Sequence, residues 1–124
     1  MQPFEMTDTS ATIVYKILPR AEWHEAVARG AYAGSADDVR DGFIHLSAAD
    51  QLAGTATKYF RDQPGLVLVA FAADRLGPQL RWEPSRGGAL FPHLYGPLPA
   101  TLALWSRSLP LAADGTPLLP AELS

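Results

Sequence analysis

One apolar run limits what this chain can fold into more than any other feature. Every residue in Leu66–Phe71 is apolar, and a Gln-Pro-Gly break at 63–65 stands directly before the run. A strand of this kind has no polar side to turn to solvent, so it is buried on both faces. We therefore expect Leu66–Phe71 to be a central strand, placed next to the strand that holds His45.

Strand and helix patterns alternate on both sides of this run. β-Branched and aromatic residues favour strands, whereas apolar side chains three or four residues apart favour helices. Further strands are predicted at Thr12–Leu18, Gly42–Leu46, Leu80–Glu83, Ala89–Tyr95 and Thr101–Leu109. Two main helices are predicted from Pro19 to Gly30 and from Ser47 to about Phe60, with a loop over Ala31–Asp41. The mixture indicates an α+β fold.

The chain is long enough to form a core of its own. It has 124 residues, of which 48% are hydrophobic, and it contains no cysteine. A domain of that size buries most of its apolar surface without disulfides, and thiolate chemistry is excluded. We expect a flexible segment over residues 1–10, a single domain over 11–110 and a tail over 111–124.

The net charge argues against a polyanionic partner. Ten basic residues against thirteen acidic ones give a charge of -3, which leaves no basic face for DNA. No apolar run reaches the roughly 18 residues that cross a bilayer, and residues 1–10 lack the features of a signal peptide. We therefore expect a cytoplasmic protein whose partner is a small molecule, not DNA or a membrane, with RNA ends ranked below small molecules. The sequence leaves the oligomeric state open.

The first candidate site motif is Gly-Phe-Ile-His-Leu-Ser at 42–47. Because side chains alternate along a strand, Phe43, His45 and Ser47 share one face. A histidine beside a helix N-terminus lies where anions bind. Two simpler interpretations stay open. Ser47 would then be only a helix cap, with Asp50 three residues on, and His45 only a hydrogen-bonded core residue.

The second motif is Leu-Phe-Pro-His-Leu-Tyr-Gly at 90–96. Strand alternation places Phe91, His93 and Tyr95 on one face, and such a face suits a flat, partly apolar ligand. The alternative is an aromatic core face that holds one hydrogen-bonded histidine.

The third motif is Arg-Trp-Glu at 81–83. Trp82 would either pack in the core or stack on a ligand ring. Glu83 would be a general base, an acceptor for ribose hydroxyls or a solvated surface charge. His24 lies off the apolar stripe of the first helix, and we expect it at the surface.

Two histidines and a glutamate are also potential metal ligands. Their spacing, however, matches no local ligand pattern, such as two histidines one helical turn apart. The chain also lacks a Gly-rich phosphate loop and a nucleophile elbow. We therefore expect no metal and no tightly bound cofactor.

Taken together, these motifs resemble the family of proteins of unknown function called DUF952. The resemblance runs from about Val14 to Leu98, which is most of the domain, and the two histidine motifs are its most specific part. It rests on Tyr15-Lys16-Ile17, Trp23, Gly30, Tyr32, Gly34-Ser35, the segment 41–47, Gln51, Thr55, Leu66-Val67-Leu68, Leu80, Trp82-Glu83 and the segment 91–98.

The resemblance implies a fold similar to that of ADP-ribosyltransferases, with two small packed β-sheets, two main flanking helices and a central cleft. The His-Leu-Ser segment is also similar to RNA 2′-phosphotransferases, which share that fold and use NAD. Where the known transferases carry His or Arg on the first strand, this chain has Tyr15 and Lys16, which we assign to ligand binding.

The leading hypothesis is a pocket for NAD or a related nucleotide, with NAD as a substrate for ADP-ribosyl transfer or for RNA 2′-phosphotransferase-like chemistry. In this interpretation His45 orients a ribose or phosphate, Glu83 accepts from a ribose hydroxyl and His93 is an acid or base. The catalytic candidates are His45, His93 and Glu83, and the ligand-binding candidates are Tyr15, Lys16, Ser47, Trp82 and Tyr95.

Two alternatives remain open. One is a non-catalytic binding module that kept the cleft, and the other is a metal-dependent hydrolase that uses His45, His93 and Glu83. Because a buried polar group needs a partner, we predict that the two imidazoles converge on one cleft, together with Trp82 or Glu83.

Overall fold

A computed structural model describes residues 12–123 of the chain. The strands are β1 (Ile13–Pro19), β2 (Ala31–Tyr32), β3 (Ile44–His45), β4 (Ser47–Ala48), β5 (Leu66–Ala72), β6 (Leu80–Pro84), β7 (Leu90–Leu94), β8 (Leu98–Pro99) and β9 (Ala103–Leu109). The α-helices are α1 (Arg20–Arg29), α2 (Ala36–Asp41) and α3 (Leu52–Tyr59), with short 3₁₀ turns between elements. The flexible segment predicted for residues 1–10 lies outside the described residues.

The described strands form three small antiparallel sheets, where the family resemblance implies two. The largest has the order β4-β1-β5-β9, the next has the order β3-β7-β6, and β2 pairs with β8. Three α-helices pack around them, one more than the two main helices predicted. The coarser prediction of an α+β domain with small sheets and few helices is confirmed.

Strand β5 lies at the centre of the largest sheet, as its apolar run predicts. It pairs with β1 on one side and with β9 on the other, and the residues of Leu66–Phe71 are all buried. Alternate side chains enter two separate cores, one that includes α1 and one that includes α3. Each fully buried Val, Leu or Phe side chain stabilises the fold by roughly 1.5–3 kcal/mol.

The prediction that β5 lies next to the strand that holds His45 is wrong. The strand that holds His45 pairs with β7 and not with β5. The chain turns at Leu46, whose side chain is buried and whose backbone N–H donates to the carbonyl of Pro92 at 3.0 Å. Beyond this corner, Ser47 belongs to β4, which pairs with β1 in the largest sheet. The predicted single strand Gly42–Leu46 is therefore a corner between two sheets.

Helix α1 follows its prediction to within a residue. Pro19 ends β1 and stands at the N-cap, where its missing N–H costs no helical hydrogen bond. Gly30 ends the helix in the left-handed region at φ 93°, and its N–H donates to the carbonyl of Ala26. Trp23 and Ala26 carry the buried face of α1 into the core.

The loop predicted for residues 31–41 is wrong, because that segment holds β2 and α2. A capping box starts α2. The backbone N–H of Asp38 donates to the Ser35 hydroxyl at 3.1 Å, and the backbone N–H of Ser35 donates back to Asp38 Oδ2 at 2.9 Å. This Ser-x-x-Asp spacing was a readable start signal in the sequence.

The predicted cap role of Ser47 is also wrong. Ser47 lies in β4, and α3 starts only at Leu52, after a 3₁₀ turn. The entry to that turn is held by Gln51, whose side-chain oxygen accepts from the backbone N–H of Ala48 at 2.9 Å. The Ser47 hydroxyl is thereby free for a different contact.

The segment after β9 packs on the domain. Leu111 and Pro117 form an isolated bridge, and Leu119 and Leu123 lie against the core that includes α3. Within residues 12–123, no helix has both the length and the apolar character that a bilayer crossing requires.

Candidate functional site

A cleft of about 510 Å³ opens where the two larger sheets meet α2 and α3. That volume falls within the range of small-molecule sites. Its walls come from β1, α2, the corner at 45–47, α3, the β6–β7 loop and β7. The polar and aromatic lining residues used below are Tyr15, Lys16, Asp38, Asp41, His45, Ser47, Thr55, Tyr59, Arg86, Phe91 and His93.

His45 and His93 are directly opposite each other on the paired strands β3 and β7. Their ring centroids lie 5.7 Å apart in an edge-to-face arrangement. Phe43 stacks on the His93 ring at 4.0 Å and touches the His45 ring at 4.7 Å. Both histidines line the cleft, so the two imidazoles converge as predicted, but neither Trp82 nor Glu83 joins them in its lining, as the prediction also required.

Carboxylates face both ring nitrogens of His45. Nδ1 lies 2.6 Å from Asp38 Oδ1, and Nε2 lies 3.0 Å from Asp41 Oδ2. A carboxylate only accepts hydrogen bonds, so both contacts are satisfied together when the imidazole donates from both nitrogens. The His45 side chain remains 36% exposed, which leaves an edge of the ring on the cleft.

Asp38 is the buried centre of this half of the site. Its carboxylate accepts from the Lys16 ammonium at 3.0 Å and from the backbone N–H of His45 at 3.1 Å. Burial alone would raise the pKa of Asp38, but the hydrogen bond from His45 and the charge of Lys16 outweigh it and hold that pKa well below its usual range. Asp38 is therefore an anion whenever the fold is intact near neutral pH.

Lys16 is as deeply buried as its partner. Besides Asp38, its ammonium donates to the backbone carbonyl of His45 at 3.0 Å. Burial lowers the pKa of Lys16, and the neighbouring Asp38 carboxylate opposes that shift. Lys16 thus ties β1 to α2 and to the strand of His45, and it lines the cleft as predicted.

His93 is held in a different way. Its Nδ1 lies 2.8 Å from Glu83 Oε1, and the same oxygen accepts from the Tyr95 hydroxyl at 2.8 Å. Since a carboxylate cannot donate, we assign the proton of that contact to Nδ1. Hydrogen bonds from His93 and Tyr95 lower the pKa of Glu83, and the bond to Glu83 raises the pKa of the Tyr95 hydroxyl.

The hydrogen bond that fixes His93 uses one nitrogen of its ring. Nδ1 bonds Glu83, and among residues 12–123 no hydrogen bond is shown for Nε2. The residue lines the cleft, although it is only 4% exposed. An imidazole with one nitrogen fixed by a carboxylate is an arrangement suited to proton transfer at the other.

Two hydroxyls form a polar strip between the histidines and α3. Ser47 Oγ lies 3.1 Å from Thr55 Oγ1, and both residues line the cleft. Tyr15, opposite Ser47 in the β1–β4 register, contributes a further wall. Tyr15 and Ser47 thus both line the cleft, and Ser47 bonds Thr55 instead of capping a helix. Their role in ligand binding stays a prediction.

Trp82, Glu83 and Tyr95 do not line the cleft. Trp82 stands opposite Pro92 in the β6–β7 register and is 40% exposed. Alternation along β6 sends its side chain to the face opposite that of Glu83. Glu83 and Tyr95 form hydrogen bonds on the Nδ1 side of His93 and so orient that ring. Their contact with a ligand stays a prediction.

Several cleft residues were missed from the sequence. Asp38 and Asp41 lie in the segment assigned to a loop, and the capping-box spacing would have identified α2 and its Asp38. Thr55 lies in the second predicted helix and had no predicted role in the cleft. Arg86 lies in a Gly-containing loop, for which local patterns carry no positional signal. His24 is exposed on α1, as predicted.

Over residues 12–123, no group of three or more His, Asp or Glu side chains is arranged to hold a metal ion. The set His45, His93 and Glu83 is not arranged as one ligand cage, since Glu83 bonds Nδ1 of His93 outside the cleft. A metal on His45 would need that ring to give up one of its two aspartates.

Comparisons with known proteins agree with the resemblance described above. Residues 17–105 match the family model described as "Protein of unknown function (DUF952)". The crystal structure of protein CC0527 from Caulobacter crescentus is 54% identical, with a TM-score of 0.88, and the alignment covers 90% of this chain and 98% of that one. The solution NMR structure of CC0527 aligns with a TM-score of 0.81 at the same identity, over 90% of this chain and 97% of that one. A search of curated proteins finds no match.

Proposed function

This chain belongs to the DUF952 family, described only as proteins of unknown function, and we propose that its cleft binds an NAD-type nucleotide and supports transfer of the ADP-ribosyl group. One observation carries the proposal. His45 and His93 lie side by side on paired strands and line the same cleft, and each has a ring nitrogen fixed by a carboxylate. Such pairs are typical of sites that move protons during group transfer.

The walls of the cleft suit the parts of a nucleotide. The exposed Tyr59 ring offers a flat apolar surface for a ligand ring, and the Ser47 and Thr55 hydroxyls offer polar contacts for ribose or phosphate oxygens. The volume of about 510 Å³ fits a ligand of nucleotide size.

His93 has the central chemical role in this proposal. In ADP-ribosyl transfer the bond between ribose C1′ and nicotinamide breaks, and its electron pair leaves with the nicotinamide. An acceptor hydroxyl then bonds to C1′, and its proton passes to Nε2 of His93. Glu83 keeps the proton of the resting imidazole on Nδ1, so that Nε2 is the basic nitrogen.

His45 has a positioning role. Asp38 and Asp41 fix its orientation from two sides, so the exposed edge of the ring presents a constant surface to the ribose.

The family resemblance supports the same proposal at the level of fold. It implies an ADP-ribosyltransferase-like architecture, and it extends to RNA 2′-phosphotransferases. A terminal RNA 2′-phosphate is therefore a second ligand class for the same cleft, and a cytoplasmic location remains part of the proposal.

A second candidate function is binding without turnover. It is favoured by the fact that both nitrogens of His45 already contact carboxylates, which leaves that ring no free nitrogen for a proton transfer. In this case the cleft would hold ADP-ribose or NAD as a recognition module.

Calorimetric titration with NAD, ADP-ribose, nicotinamide and a 2′-phosphorylated RNA end tests the proposal, together with chromatography for released nicotinamide. We expect His93→Ala to abolish nicotinamide release and His45→Ala to weaken binding. His24→Ala, which changes an exposed histidine outside the cleft, is the matched control and should leave both unchanged.

The possible results separate the candidates. Binding of NAD without nicotinamide release, in the presence of acceptors such as a 2′-phosphorylated RNA end, would support the recognition module and contradict the transferase. Absence of binding to all four ligands would refute the nucleotide proposal.

A further inference from the structure

We propose that Arg86 is the anion-recognition residue of the cleft and that it binds the phosphate groups of the ligand. This inference rests on the proposed function, because it assigns one part of the same nucleotide to one part of the same cleft. The site it describes is formed by Arg86, Thr55 and Ser47, with Gly54 beneath the guanidinium.

Arg86 is held in place by aromatic rings and a neutral hydroxyl. Its guanidinium carbon lies 4.8 Å from the Phe91 ring centroid and 5.9 Å from that of Tyr59. One of its terminal nitrogens donates to Thr55 Oγ1 at 3.5 Å, which is a long hydrogen bond. The side chain is half-buried in the wall of the cleft. These contacts orient the guanidinium without neutralising it.

Four other arginines of the described chain have carboxylate partners within 4.0 Å, namely Arg29, Arg40, Arg61 and Arg107. The arginines without an ion pair among residues 12–123 also include Arg20, Arg75 and Arg81, but those three side chains are exposed, whereas Arg86 is half-buried. A partly buried cation without a counter-charge is unfavourable unless something supplies the anion. The arrangement therefore favours an anionic ligand group at this end of the cleft.

Gly54 provides an independent observation. It lies inside α3, where glycine is less favourable than alanine by about 1 kcal/mol. A Cβ atom at this position would lie 3.0 Å from a terminal nitrogen of Arg86, which is closer than such contacts normally are. The missing side chain thus makes room for the guanidinium on the surface of α3.

The neighbouring donors match a phosphate better than a carboxylate. The Thr55 hydroxyl lies beside the guanidinium, and the Ser47 hydroxyl lies 3.1 Å beyond it towards the histidines. A phosphate group accepts from several donors at once, and arginine offers it two parallel N–H groups. The geometry therefore places the pyrophosphate of the ligand at Arg86 and its reactive ribose nearer His93.

The test measures the affinities of ADP-ribose, adenosine and inorganic pyrophosphate for the full chain by calorimetry. We expect Arg86→Gln to weaken ADP-ribose and pyrophosphate binding by at least about tenfold, which is the usual range for a charged hydrogen bond, and to leave adenosine unchanged. Arg86→Lys should fall between the wild type and Arg86→Gln, because an ammonium cannot form the paired contact. Arg75→Gln removes an exposed charge outside the cleft lining and is the control for net charge.

Gly54→Ala provides a second route that keeps the arginine. The added methyl group should shift the guanidinium by a few tenths of an ångström and weaken pyrophosphate binding slightly, while alanine favours the helix. Thermal melts of all the variants establish that they are folded, and Arg86→Lys decides the question if Arg86→Gln does not fold.

The outcomes distinguish this inference from the proposed function. If the wild type binds pyrophosphate and Arg86→Gln does not, the anion site stands even when ADP-ribose fails to bind and the nucleotide proposal falls. If ADP-ribose binds equally to the wild type and to Arg86→Gln, the anion site is refuted and the nucleotide proposal survives. If neither ADP-ribose nor pyrophosphate binds the wild type, both are refuted.

Discussion

His45 and His93 face the same cleft, but the protein holds them by opposite means. His45 is exposed at its edge and depends on Asp38, a buried carboxylate that is itself paired with the buried Lys16. His93 is buried and stacked on Phe43, and it depends on Glu83, a carboxylate near the surface. The orientation of His45 therefore depends on a buried ion pair, whereas the orientation of His93 depends on one carboxylate near the surface.

This contrast indicates a division between stability and chemistry. Replacing Asp38, the partner of His45, removes the counter-charge of the buried Lys16 ammonium. Replacing Glu83, the partner of His93, changes which nitrogen of that ring carries the proton and leaves the buried ion pair intact. The following predictions either separate these two effects or refute the contrast.

The largest expected effect is that of Asp38→Asn. It leaves the Lys16 ammonium buried without a counter-charge, and we expect the free energy of unfolding to fall by about 3–5 kcal/mol. Urea denaturation measures this directly. Asp41→Asn is the matched control, because it removes the exposed partner of the same His45 ring and should alter stability little. Lys16→Met in the Asp38→Asn background should recover part of the loss.

Equal stability losses for Asp38→Asn and Asp41→Asn would contradict the assignment of stability to the buried pair. So would a double variant that is less stable than Asp38→Asn alone, because the stranded ammonium would then not be the cause.

A smaller effect is expected in the pH dependence of stability. The pKa of Asp38 is lower in the folded chain than in the unfolded one, so its ionised form stabilises the fold above the unfolded value of about 3.9. That contribution is lost as the pH falls from there through the lower folded pKa. Urea denaturation from pH 7 downwards should show the difference between wild type and Asp38→Asn shrinking below about pH 4. A difference that stays constant down to pH 2 would contradict this linkage.

The smallest effect on stability is expected for Glu83→Gln, together with a clear effect on chemistry. An amide can donate as well as accept, so it no longer fixes the proton of His93 on Nδ1. We expect the melting temperature to change little, and we expect the nicotinamide release of the proposed transfer reaction to fall by about a hundredfold. Nitrogen-detected NMR of the imidazole should show a shift in tautomer. Tyr95→Phe, which leaves Glu83 in place, is the control, and an unchanged tautomer in Glu83→Gln would refute the orienting role.

The sequence predicts the features of this molecule that depend on neighbouring residues. The apolar run at Leu66–Phe71 has one stable environment, so its central position follows from composition alone. Strand alternation likewise places His45 and His93 on cleft-facing sides, because that periodicity is a property of the extended backbone.

What the sequence does not predict depends on residues that are distant in the chain. The corner at Leu46 forms because β3, before it, pairs with β7, whereas β4, after it, pairs with β1. The residues around Leu46 do not indicate either pairing partner. The counter-charge of Lys16 lies 22 positions away in a segment too short to show helical periodicity. Arg86 reaches the cleft only because the β6–β7 hairpin folds over α3.

The corner at Leu46 also has a consequence for the spacing of the groups in the cleft. His45 and Ser47 line the cleft from two different sheets, yet a single residue separates them in the chain. The two sheets are therefore covalently joined at the cleft wall. We expect this short connection to keep the distance between the His45 ring and the Ser47 hydroxyl nearly constant, whichever ligand the cleft holds.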